Sequence, residues 1–360
     1  MSQLLFLVGQ VSIKMIVYLE LCEAEFKKRK NSKSNTSKRK GSDNAPQNQQ
    51  QKDAAGDKEL EMIGGSNEDD FADAVFAIKE NELLFGKQSL LAQFGPLVEE
   101  IVSDNSGKFQ HEILQRVATL CLEKMMCCSS KYCEKNLPLL ITVMEKSPDA
   151  VIRSNAVLGL GDMAVCFNNL VDENTEFLYK RLHDESLMVQ RTCLMTVTFL
   201  ILAGQVKVKG QLGQMAKCLE NEDQRISDMC KLFFTELASK DNAIYNGFID
   251  IFSTLTADQT LSQPSFKKII QFLISFIDKE RHQKQLSAKL LNRLKQCENQ
   301  KQWDDVAFVL NNFPSKSEQV DEILKEGFKM VTTNTSKGTP ATEETANNAT
   351  QLVGDTQMIL

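Results

Sequence analysis

The sequence predicts an all-α fold, a solenoid of stacked helix pairs, and three observations carry that prediction. First, an apolar-or-small template recurs as Leu114/Ala118/Leu122/Met125, Ile152/Ala156/Leu160/Met163, Val189/Cys193/Val197/Leu200, Ile226/Cys230/Phe234/Leu237 and Phe266/Ile270/Ile274/Ile277. Offsets of 0, 4, 8 and 11 put all four side chains on one face of a helix. Second, the starting positions are 38, 37, 37 and 40 residues apart. Third, each set follows another apolar helical segment, and no stretch shows strand-like alternation. One such helix would describe any buried helix; five in register describe a repeat.

The period falls near the lower edge of the HEAT/armadillo range and above the tetratricopeptide length. The chain therefore divides into a helix of a HEAT-like repeat (1–26), a disordered basic-then-acidic linker (27–75), a HEAT-repeat α-solenoid (76–331) and a disordered tail (332–360). The run from Leu4 to Leu21 lacks a basic leader and a small-residue cleavage site, and Gln10 and Lys14 interrupt it. It reads as an amphipathic helix, too polar for a membrane span. Its apolar face has no polar cap of the kind that terminal repeats carry, so the chain is expected to be the C-terminal portion of a longer array. In the linker, eight Lys or Arg lie between Phe26 and Gly41, then eight Asp or Glu against Lys58 alone between Asp53 and Asp73.

Within the solenoid, the outer helices are Leu137–Met144, Phe177–Leu182, Leu212–Leu219 and Phe248–Leu255. Pro148 suits a helix start and Gly204 a C-cap. Asp184 and Asn221 hold matching turn positions 37 residues apart. The two edges differ in charge. Turns inside repeats carry Glu145, Asp149, Asp184, Glu185, Glu220, Glu222 and Asp223, for which helix capping is the simplest reading. Turns between repeats carry Lys207, Lys209 and Lys240 near Asn168, Gln205 and Asn242, and Val206–Gln211 is longer than a cap requires.

Ten cysteines fit a reducing compartment better than a disulfide framework, with Cys193 and Cys230 as small hydrophobes in the Ala column of the template. The cluster Cys121, Cys127, Cys128 and Cys133 has no Cys-x-x-Cys pair and no histidine at ligand spacing, so no metal is expected. Gly159-Leu160-Gly161 lies inside a helix and reads as a close helix contact rather than a phosphate loop. No nucleophile–base signature stands out, so no enzyme activity and no cofactor are expected.

The cluster Lys27-Lys28-Arg29-Lys30, then Lys38-Arg39-Lys40, suits nuclear import or a phosphate-binding arm, with an inert solubilising run as the alternative. It contains no aromatic residue for base stacking. Candidate DNA contacts are Lys207, Lys209 and Lys240 with Arg191 in support, and each could equally serve a helix end. Asn168, Asn242 and Tyr245 are candidates for ordering the edge or touching a partner. Thr339-Pro340 is the preferred phosphorylation candidate.

At the repeat core the sequence resembles a known family. Ile152-Arg153-Ser154-Asn155, Gly161-Asp162, Phe167–Asp172 and Tyr179-Lys180-Arg181-Leu182 are similar to the HEAT-repeat subunit 1 family of the condensin I type complex. So are Val206–Gln211 and Lys240–Asn246, where the condensin II counterpart looks different, and the opening Leu5–Lys14. The resemblance covers roughly 1–26 and 76–331. It implies a non-catalytic subunit acting in mitotic chromosome condensation, in the nucleus and on chromosomes, with cytoplasmic residence outside mitosis. Its implied partners are an SMC ATPase pair, a kleisin, a second HEAT subunit and double-stranded DNA or chromatin, with no membrane and no small-molecule substrate. Family members are far longer, with a large N-terminal HEAT region, which leaves kleisin and SMC contacts open for this chain. The competing reading is a generic HEAT adaptor, such as a nuclear transport or phosphatase scaffold; a third is a helical enzyme using the cysteines or a metal.

Overall fold

A computed structural model describes residues 1–40, 67–206, 210–240, 242–315 and 318–327, and every regular element among them is helical. The chain forms two compact units, 1–276 and 277–360. In the first unit, α1 (Ser2–Lys40) and α2 (Asn67–Ala77) are followed by a π-helical turn (Ile78–Glu82) and then by helix pairs. The pairs are α3 (Leu90–Ser103) with α4 (Glu112–Met126), and α5 (Ser130–Lys146) with α6 (Ala150–Cys166). The third outer helix is broken into α7 (Asn168–Asp172) and α8 (Thr175–Lys180), paired with inner α9 (Leu187–Leu202). Then come α10 (Leu212–Lys217) with α11 (Gln224–Ala238), and α12 (Ala243–Ala257) with α13 (Gln263–Ile274). The second unit holds α14 (Glu280–Leu294), α15 (Gln300–Asn312) and α16 (Glu318–Glu326). There Gln283 donates to the Ile277 carbonyl and accepts from the Ser315 N–H, tying α14 to the residues after α15.

The template residues are the core. All twenty except the half-buried Leu114 are at most 9% exposed. The small column exists because inner helices press on the outer layer. Cys193 donates its thiol to the Leu178 carbonyl at 3.1 Å, and Cys230 makes the same bond to Met215 at 3.0 Å. Gly159 and Gly161 mark the closest inner-helix approaches. A Cβ at Gly159 would lie 2.7 Å from Cγ of Glu123 on α4, and one at Gly161 would collide with Cγ2 of Thr196 on α9. The Gly-Leu-Gly segment is thus a helix-packing device on both sides of α6. Gly204, at φ +70°, ends α9 in the left-handed region that glycine adopts without cost.

The acids inside repeats do more than cap. Asp149 accepts from the Val151 N–H and Asp223 from the Arg225 and Ile226 N–H groups, as N-caps do. These two and Asp184 are also each joined to an arginine of the preceding inner helix: Arg116–Asp149 at 2.6 Å, Arg153–Asp184 at 2.7 Å and Arg191–Asp223 at 3.4 Å. The middle rung is buried, its side chains 4% and 2% exposed. Arg153 forms two parallel bonds to Asp184 and a third to the Ser147 carbonyl. Gln190 then donates to the Asp184 carbonyl, and Asn221 to Gln190, so one polar chain links successive turns.

Two readings of the N-terminal region change. Helix α1 continues beyond residue 26 to Lys40, because Glu23–Lys27 and Glu25–Arg29 pair at i,i+4 and neither Gly nor Pro interrupts the run. Residues 67–75 belong to helix α2, and Phe71 stacks on Phe26 with ring centroids 4.4 Å apart. The span Ser2–Arg29 is also long and apolar enough to cross a membrane by length and composition, with a mean hydropathy of 1.8 over its most apolar window. This corrects the reading that it is too polar, since two interrupting polar residues do not offset so many large apolar ones. Its Leu5, Val8 and Leu19 are buried, and Gly9 lets α1 approach Cys121 of α4 closely.

Arg153→Ala should cost about 3 kcal/mol, because it removes two hydrogen bonds to a buried carboxylate and leaves Asp184 to Arg181 and the Ser186 N–H. Arg116→Ala, on a half-exposed rung, should cost under about 1 kcal/mol; equal small losses in urea melts would place the anchor elsewhere. Burial would raise the Asp184 and Glu80 carboxyls, but hydrogen bonds outweigh it. Arg153 and the Ser186 N–H hold Asp184 low, and Ser129 with the Ser130 and Lys131 N–H groups holds Glu80 low. A depressed carboxylate contributes stability above its unfolded value, about pH 4, and loses it as pH falls through the folded value. The melting temperature should therefore drop below about pH 4, and less so in Glu80→Gln.

Candidate nucleic-acid edge and thiol cluster

The edge between repeats is built from the C-terminal ends of α6, α9 and α11 and the segments after them. Its side chains tie one repeat to the next. Asn168 donates to the Gln205 carbonyl, and the Lys240 ammonium reaches back to the Leu202 carbonyl at the end of α9. A cation there meets the negative end of the helix dipole and its unpaired carbonyls. Lys240 is exposed, so its ammonium is shared between this bond and solvent. Asn242, left-handed at φ 57°, starts α12 by accepting the Asn246 N–H at its carbonyl, and Tyr245 is half-buried one turn on.

The structure does not bring Arg191 to this edge. It belongs to the arginine–aspartate ladder at the opposite ends of the helices, and the 16 residues of α9 separate the two edges by roughly 24 Å. Lys207, Lys209 and Thr339 lie outside the described residues. Of the basic arm, Lys27 and Arg29 are paired with Glu23 and Glu25 along α1, Lys28 lies beside them, and α1 carries the backbone of Lys30, Lys38, Arg39 and Lys40.

The four clustered cysteines gain a fifth from the next repeat. Cys127, at the C-cap of α4, is the neighbour with the largest effect on Cys166, the exposed last residue of α6. Cys127 lowers the Cys166 thiol to about 7, against burial and the charges of Asp162 and Glu20 and with help from Lys79. Its partner Cys127 is pushed up, and burial lifts Cys121, Cys128 and Cys133 to about 12. Sequence spacing could not show this pair, because the two residues are 39 positions apart. Among the described residues no three His, Cys, Asp or Glu side chains converge as metal ligands.

Beside this cluster, Glu123 is buried, with Oε1 lacking a hydrogen-bond partner. Burial, then the charge of Asp162, raises its carboxyl well above the usual range, with Lys124 opposing.

These features define a helical-repeat solenoid whose polar chemistry lies at its edges rather than in a pocket. The profile of the non-SMC mitotic condensation complex subunit 1 family matches residues 151–311. Condensin complex subunit 1 of Saccharomyces cerevisiae is 72% identical over 334 residues, covering 92% of this chain and 28% of that protein. The Schizosaccharomyces pombe protein of the same name is 48% identical over 91% of this chain and 28% of its own length. The Homo sapiens one is 35% identical over 87% and 22%. The chain belongs to the condensin complex subunit 1 family and spans about a quarter of the length of these relatives. Among solved structures, a designed armadillo repeat protein is 14% identical over 61% of this chain and 99% of its own, with a TM-score of 0.31, and no argument about function follows from it.

Two outcomes are expected. Cys166 should be alkylated by iodoacetamide at pH 7.5 well before Cys121, Cys128 or Cys193, as peptide mapping of the native protein would read; equal rates would contradict the thiol pair. A carboxyl raised by folding costs stability as pH rises from its unfolded value toward its folded one. The melting temperature of Glu123→Gln relative to the parent should therefore rise between pH 5 and pH 8, and a constant difference would show Glu123 charged in the folded state.

Proposed function

We propose that this chain is a solenoid portion of a regulatory condensin subunit, a non-catalytic scaffold acting in mitotic chromosome condensation. The observation that carries this reading is the 72% identity across 92% of the chain. The partners of that role are an SMC ATPase pair, a kleisin and a second HEAT subunit, and its sites of action are the nucleus and the chromosome, with cytoplasmic residence outside mitosis. No observation favours the generic adaptor reading over this one.

Double-stranded DNA is the ligand proposed for the inter-repeat edge, through Lys207, Lys209 and Lys240. The placement of Lys240 supports it, because an exposed ammonium at the end of α9 adds positive charge to the same edge as the loop before α10. Arg191 is dropped from this set, since Asp223 engages it at the other edge. Asn168, with Asn242 and Tyr245, holds the edge in shape. The run from Lys27 to Lys40 is a second candidate for phosphate contact or nuclear import, and Thr339 for phosphorylation. Contacts to phosphate carry no sequence information, so no DNA sequence preference is expected.

Binding to a fluorescent 50-base-pair duplex at several salt concentrations tests the assignment. Lys207→Glu with Lys209→Glu should weaken binding and lower the log–log salt slope by about 2, as loss of two phosphate contacts predicts, with the helical melt unchanged. Binding as in the parent would remove this edge, and loss of binding only when Lys38, Arg39 and Lys40 become Ser would move the contact to the basic arm.

A further inference from the structure

The surface facing away from the inner helices has a groove that neither the edges nor the family assignment accounts for. It lies between outer helix α5 and the broken outer helix of the next repeat, and has a volume of about 560 Å³. The break creates it. Asn174, at φ −110° and ψ 5°, stops the helix between α7 and α8. Two short helices thus stand where the neighbouring repeat presents a single one of 17 residues.

The floor is apolar: Leu137 and Ile141 of α5, 6% and 9% exposed, face the half-buried Phe177 of α8. The walls are acidic. Glu134 and Glu145 stand on the α5 stripe 134, 138, 141, 145, and Glu173 faces them from the turn after α7. No Lys or Arg lines the groove, and none of these three carboxylates has a hydrogen bond or ion pair among the described residues. Elsewhere in the same unit some acids, such as Glu99, Glu112 and Asp258, are paired with bases, and others, such as Glu100, Glu222 and Glu236, are not among the described residues. What sets the three groove acids apart is that they line one apolar-floored groove. Pro138, inside α5, adds an acceptor to the same wall. Its missing N–H leaves the Glu134 carbonyl without a helical donor.

We propose that this groove is a docking site for a Lys/Arg-rich peptide segment with one apolar side chain between its cations. The apolar residue seats on Leu137, Ile141 and Phe177, and the flanking cations meet Glu134 and Glu145, with Glu173 opposite. The eleven-residue separation of the two α5 acids spans about 16 Å. Five residues of extended chain cover the same distance, at about 3.3 Å each. The occupant therefore carries basic residues about five positions apart with an apolar one between them. This assignment does not rest on the DNA reading above, because it uses a different surface and ligands of the opposite charge.

Fluorescence anisotropy of the full chain with the labelled peptide Lys-Arg-Ser-Leu-Ser-Arg-Lys tests it. Glu134→Gln, Glu145→Gln and Glu173→Gln together should weaken binding about tenfold, and a probe with Ser in place of Leu should also bind more weakly. A control removing three exposed acids elsewhere, Glu100→Gln, Glu222→Gln and Glu236→Gln, should change binding less than twofold. Thr142→Arg, which places a cation at the groove rim, should weaken it without touching the core. Equal losses in the two triple variants would reduce the effect to net charge and overturn the site, as would parent-like binding by the groove variant.

Discussion

The close approach of successive inner helices is the constraint on which the rest of this structure depends. Gly159 and Gly161 remove the side chains that would hold α6 away from α4 and α9, and Glu123 and Thr196 fill the space on either side. At that separation the template residues of the first unit interlock, and dispersion contacts accumulate along the array rather than in a single centre. A repeat in such an array completes its hydrophobic burial only with neighbours in place.

Close stacking also fixes what happens at the helix ends. Once the inner helices are in register, an arginine near the start of one meets an aspartate in the turn before the next. The Arg153–Asp184 rung is buried and fully hydrogen-bonded, so breaking it is expensive even though a well-packed apolar replacement could be as stable. Its contribution is to register: the planar guanidinium accepts one orientation of the neighbouring turn. The opposite edge is held by lighter links, such as Asn168 to Gln205 and Lys240 to Leu202. Polar groups there remain partly in solvent, which is what a surface for a charged partner requires.

Stacking also brings together groups from different repeats that acquire properties neither has alone. Cys127 and Cys166 come from successive inner helices, and each shifts the other, lowering the Cys166 thiol and raising that of Cys127. Glu123 lies where helix packing excludes water, which raises its carboxyl well above the range of an exposed glutamate. The groove beside α5 has the same origin, as the break at Asn174 matters only because an intact helix stands beside it.

The sequence by itself determined the all-helical class, the repeat period, the buried face of each inner helix and the family, because a 3.6-residue apolar period and a fixed repeat length are one-dimensional properties. It also marked Gly159 and Gly161 as a packing contact and Gly204 as a helix end. It did not show that α1 runs on to Lys40, where local charge pairs decide between helix and linker. Nor did it separate Arg191 from Lys240, since an edge is a matter of which end of a helix a residue occupies once the helices stack. The aspartates of the turns looked like caps because capping is local, whereas their arginine partners lie 31 to 33 residues away. Pairings across that distance depend on the rotation and rise from one repeat to the next, and only the tertiary structure sets those.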